Sequence, residues 1–143
     1  MKRRFTVGIG PNENGHRFWM NVVVYDTKED MHQATLRHRP KSDAESVAES
    51  GGCFQAANSA HPSYLGIMRL TQEFLVPAAV VHESVHAALV YVQKVKDVAR
   101  LHLDAWSDGE RIIDNEESLA YSVHGIASAL LAELALVTPQ GET

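Results

Sequence analysis

The sequence predicts an α+β fold in which a small, mostly antiparallel sheet precedes long helices. Three observations carry that expectation. The first half alternates short β-branched and aromatic runs with turn signals, whereas the second half holds two extended apolar stretches at helical spacing. The 143 residues fit a single domain, 1–143, and a content of 45% hydrophobic and 22% charged residues is ordinary for a globular chain. The lone cysteine, Cys53, excludes an internal disulfide framework and an all-cysteine zinc site, and it reads as a small buried residue.

Arg3–Ile9 reads as a short strand, and the Gly10–Gly15 stretch that follows is rich in turn formers. Arg17–Tyr25 is aromatic and β-branched and predicts a second, largely buried strand. Asp26 or Thr27 can cap a helix over Lys28–His38 with Met31, Ala34 and Thr35 on its inner face. Arg39–Gly52 is polar and reads as a loop with one helical turn at Ala44–Ala48, and Cys53–Ala57 and Tyr64–Leu70 read as strands joined by a turn at Asn58–Ser63. Pro77 suits the first turn of a helix running to about Lys96, with Val81, Val85, Ala88, Leu89 and Val92 as its core stripe. Asp97–Arg111 either extends that helix or forms a separate turn, with Gly109 marking a break. A last helix is expected from Asp114 or Asn115 to about Val137, with Leu119, Ala120, Val123, Ala127, Leu130 and Leu134 inward and Pro139 and Gly141 ending it.

A net charge of −5 and a pI near 5.9 do not suggest a nucleic-acid partner. The two longest apolar stretches are interrupted, Phe74–Val92 by Pro77, His82, Glu83 and His86, and Ile126–Val137 by Glu133, so no membrane span is expected. The opening residues lack the apolar run of a signal peptide, and the expectation is a soluble, cytoplasmic protein.

Within the first long helix, Val81-His82-Glu83-Ser84-Val85-His86 contains H-E-x-x-H. Residues four apart lie one above the other on a helix, so both imidazoles can reach one metal ion, and two histidine nitrogens suit Zn²⁺. Glu83, one residue on, is placed to take a proton from water at the open metal position and return it to a leaving amine. With 8 His and 11 Glu in the chain, chance produces this spacing in about 3% of shuffled sequences. The competing expectations are that His82 and His86 are core histidines and that Glu83 is a solvated helix residue. The isolated histidines His16, His32, His38, His61 and His102 read as surface or loop residues.

Catalytic zinc takes three protein ligands plus water. Leu89 and Val92 occupy the positions where an H-E-x-x-H-x-x-G-x-x-H motif would have Gly and His, which excludes that variant. The other common third ligand is a Glu from a later helix, here Glu116 or Glu117. Glu117 shares a helical face with Ala120, Tyr121 and His124, whereas Glu116 falls on the apolar stripe, so Glu117 is preferred. The alternative role for Glu117 is a capping box with Asp114.

His82-Glu83-Ser84-Val85-His86, followed by a helix carrying Glu117-x-x-Ala120-Tyr121, resembles the gluzincin branch of the zincin metallopeptidases. It is most similar to small single-domain members, phage- and prophage-encoded ones among them. The resemblance covers about Tyr64 to Leu136. It implies a zincin-like fold, a Zn²⁺ cofactor held by His82, His86 and Glu117, a general base at Glu83, and a peptide or protein substrate. It also implies that the strand before the motif helix, here Tyr64–Leu70, offers a free edge to an extended substrate, with Gly66 either admitting the substrate backbone or forming a bulge. Several gluzincins place an Asp four residues after the ligand Glu, and Tyr121 stands there instead. The outer anchor of a zinc-bound His must then come from Asp104, Asp108 or a backbone carbonyl. Tyr121 or His124 can instead donate to the transition-state oxyanion, the alternative being that Tyr121 is a half-buried helix residue. A second class of function stands beside the enzyme: a non-catalytic zincin-fold metal-binding or phage-associated assembly protein.

Overall fold

Two antiparallel strand pairs laid side by side make the sheet. In the computed structural model, which describes residues 3–10, 17–38, 51–57, 62–96 and 109–135 (side chains of 96 and 109–117 excepted), the strands are β1 (Arg3–Ile9), β2 (Phe18–Tyr25), β3 (Gly52–Ala56) and β4 (Tyr64–Thr71). Their order is β1-β2-β4-β3, with β1–β2 and β3–β4 antiparallel and β2–β4 parallel. The α+β class therefore holds, and the sheet is mixed, with one parallel seam at its centre. That seam needs a long crossover between β2 and β4, and α1 (Lys28–His38) lies in that connection.

Side chains alternate between two covered faces. Met20, Val22, Val24, Met68 and Leu70 turn toward the long helices, where Val80, Ala87 and Ala88 of α2 (Pro77–Lys96) and Ile126, Leu130 and Leu134 of α3 (Gly109–Glu133) complete the main core. Full burial of a Met or Leu in such a layer contributes about 2 kcal/mol. On the opposite face Val23 and Tyr25 pack against Met31 and Ala34 of α1. Thr27 caps α1, its hydroxyl accepting the Asp30 amide at 3.2 Å, while the Glu73 carboxylate accepts the Lys28 amide at 3.3 Å.

Between α1 and the sheet lies a buried polar network. Arg69, 7% exposed, donates through Nε to Gln55 Oε1 at 2.8 Å and through Nη1 to the Tyr25 hydroxyl. Gln55 Nε2 donates to the Thr35 carbonyl at 3.2 Å, and the Thr35 hydroxyl donates to the Met31 carbonyl at 2.8 Å. Cys53 is half-buried beside Thr35, with Sγ 3.5 Å from its hydroxyl, rather than fully buried as expected.

Three expectations change. Val81 and Val85 are 39% and 36% exposed, while Val80, Ser84 and Ala87 face the core, so the buried stripe of α2 is rotated from the predicted one. The segment is apolar nearly all round, and small side chains, not the bulkiest ones, let the helix approach the sheet. Ala120 is exposed and Ile126 is buried on α3, which starts at Gly109, ahead of the expected Asp114 or Asn115. Finally, Tyr64–Thr71 has no free edge, because β2 and β3 pair with its two sides. Gly66, at φ +139°, sits where the β2–β4 register slips, and a Cβ there would overlap the Gln55 carbonyl oxygen. It is a bulge that admits β3, not a substrate. The predicted turns at 44–48 and 58–61, and Asp104 and Asp108, lie outside the described residues.

Candidate functional site

The H-E-x-x-H segment forms the second turn of α2. The chain enters through a 3₁₀ turn, Gln72–Phe74, and the Val76 carbonyl then accepts the amides of Ala79 at 3.1 Å and Val80 at 3.2 Å. Pro77 occupies the first helical position, where its missing N–H costs nothing. Ser84 is fully buried and donates to the Val80 carbonyl at 2.7 Å, which keeps the polar residue of this inner face satisfied within the helix.

This phase separates the three motif side chains by environment. His82 has a side chain 70% exposed, and His86 is exposed one turn later. Their ring centroids are 5.3 Å apart at an interplanar angle of 69°. Two imidazoles sharing a tetrahedral ion at Zn–N distances of 2.0–2.1 Å have centroids about 5 Å apart. The observed spacing fits that geometry, and the exposure of both rings removes the core-histidine alternative.

Glu83 turns inward. It is 6% exposed, beneath the outer strand, and Gly52 of β3 is its neighbour. Among the described residues its Oε1 lies 3.9 Å from His82 Nε2, too long for a hydrogen bond. Among the described residues its Oε2 has no hydrogen-bond partner, a state shared only by the neutral Thr71 hydroxyl. Burial pushes the Glu83 carboxyl above the ordinary carboxylate range, and His86 and then His82 draw it part of the way back. A buried carboxylate with an unused oxygen beside two outward imidazoles has the donor chemistry of a divalent-cation site with an adjacent base. The solvated-helix alternative for Glu83 is thereby removed.

The third ligand has no described side chain. Glu116 and Glu117 both lie on α3, and their side chains are outside the described set; among the described residues no three His, Cys, Asp or Glu groups converge. Tyr121 is 74% exposed and His124 is exposed as well, so the half-buried alternative for Tyr121 does not hold. Two features escaped the sequence reading. Gly52 beside Glu83 had only the Gly51-Gly52 pair as a signal, and Arg69 carried no local signal of burial at all. No protein-family model matches the chain, and no curated protein or solved structure is detectably similar to it. No helix among the described residues is long and apolar enough to cross a membrane.

Proposed function

We propose that the chain is a zinc-dependent metallopeptidase of the zincin type, in which His82 and His86 hold the ion together with Glu117, or its neighbour Glu116, and Glu83 is the general base. The observation that carries this reading is the Oε2 of buried Glu83, without a partner among the described residues, beside two exposed imidazoles one helical turn apart. Bound zinc supplies acidified water and a polarised carbonyl. Glu83 does the proton work. Burial makes the carboxylate more basic than an exposed one, and Oε2 is the atom proposed to take the proton and hand it to the leaving nitrogen. Tyr121 on α3 is the proposed oxyanion donor.

The substrate strand also has a place. β4 is enclosed, whereas among the described residues no strand pairs with the outer side of β3. An extended peptide adding to β3 would run past Gly52, and so past Glu83.

The test is metal content with hydrolysis. The purified protein is expected to bind one equivalent of zinc at neutral pH and to cleave members of a peptide library in a chelator-sensitive way, with His82→Ala losing both. Failure to take up supplied zinc overturns the reading. Zinc uptake without any cleavage replaces the enzyme with a metal-binding protein.

A further inference from the structure

Glu83 owes its position to one glycine of the neighbouring strand. A Cβ built on Gly52 would lie 3.3 Å from each of three atoms: the Arg69 carbonyl oxygen, Leu70 Cδ2 and Glu83 Cγ. Contacts that tight force some neighbour to give way. The first is main chain of β4, which is paired on both sides. The second belongs to a core side chain only 1% exposed. The third belongs to Glu83, the longest and most rotatable of the three groups. A side chain at 52 therefore crowds Glu83 Cγ, and the contact is relieved only by a shift of that stem or of the strand end.

We infer that Gly52 is the positioning residue for Glu83. Its bare Cα lets the carboxylate stem lie against the edge strand, with Oε2 buried and unpartnered among the described residues. Catalytic use of this placement rests on the metallopeptidase reading, but the placement itself does not. Gly51 is the natural control. A Cβ there would meet Phe74, at 3.3 Å from its Cβ and 3.4 Å from its Cγ, and not Glu83. Gly51→Ala therefore makes the same chemical change one residue away along the chain without touching the base.

The experiment has two arms. In the zinc-loaded protein, Gly52→Ala is expected to lower kcat about tenfold, with KM and zinc content changed less than twofold, as a displaced base requires. Gly51→Ala is expected to stay within twofold of wild type in all three. In the metal-free protein, a double-mutant cycle reads the contact without any catalysis. Gly52→Ala is expected to lower Tm by about 3 °C in the natural background and by less than half of that in a Glu83→Ala background. A crystal structure of Gly52→Ala is expected to show Glu83 Cγ displaced outward. Equal Tm losses in the two backgrounds, or an unmoved Glu83, overturn the inference whatever the enzyme does. If wild type cleaves nothing, the metallopeptidase reading fails, while the cycle still decides the contact. Should Gly52→Ala not fold, the Gly52→Ala, Glu83→Ala double variant decides: folding restored by removing the Glu83 side chain supports the contact, and folding not restored overturns it.

Discussion

Arg69 and Glu83 are both charged residues less than a tenth exposed, on opposite faces of one sheet, and they are treated in opposite ways. Under α1, Arg69 is met by the Gln55 amide oxygen and the Tyr25 hydroxyl, and Gln55 and Thr35 extend the hydrogen bonds to the helix backbone. Under the edge strand, Glu83 keeps one oxygen with no partner among the described residues. Desolvating a charge is expensive, so a buried ionisable group retained only for stability is surrounded by donors or acceptors, as Arg69 is. A carboxylate left short of partners among the described residues, beside two outward imidazoles, is what the proposed metal site calls for. Thr71, the other partnerless buried oxygen, is a neutral hydroxyl and carries a much smaller penalty.

The contrast breaks most directly at Glu83. Glu83→Gln is expected to reduce hydrolysis by about 10³-fold or more with zinc content retained, because shape and ligands survive while the base is lost. Retained turnover in that variant, with zinc bound, would end the comparison. Arg69→Met comes next. It removes both guanidinium hydrogen bonds and leaves Gln55 and Tyr25 without their donor, which is expected to cost about 3 kcal/mol, or about 9 °C in Tm, by thermal melts. The kcat of the molecules that remain folded should stay at the wild-type value.

The smallest effect concerns pH in the metal-free protein. Folding raises the Glu83 pKa above its unfolded value, so the folded state favours the protonated acid. The stabilising share is fully present below the unfolded pKa and is lost as pH rises through the folded one. Gln mimics the protonated form at every pH. The metal-free Gln variant should therefore melt about 3 °C above wild type at pH 7, and the gap should close as the pH falls below the ordinary carboxylate range. A constant gap across pH would show that the ionisation of Glu83 is not its source.

Local elements were legible because their signals are local. Arg3–Ile9 and Lys28–His38 have the ends that the pattern predicts, and Met31, Ala34 and Thr35 are the buried residues of α1 as expected. The first long helix begins at Pro77 and ends at Lys96, as read from its proline and its apolar spacing. Its rotation was not legible, since Val81, Val85, Val80 and Ala87 are alike in hydropathy and only the sheet decides which of them it covers. The pairing of β2 with β4 was hidden for a related reason, because partners 45 or 46 residues apart choose each other through the whole layer of side chains between them. The motif histidines were legible as a pair. The burial of Glu83 against Gly52 was not, because it joins residues from two distant segments.

The parallel seam also has a consequence for how the chain folds. β1 with β2, and β3 with β4, are antiparallel neighbours in sequence, so each pair closes over a comparatively short loop. The seam between β2 and β4 is the one strand pairing that must wait for the chain to cross over, and contacts so far apart in sequence are slow to form. Arg69 reaching from β4 to Tyr25 on β2 bridges that junction, so the guanidinium network works as a clasp between two halves assembled separately. On this account the amides of the central strands gain protection from hydrogen exchange only when the halves are joined, after both outer pairings exist.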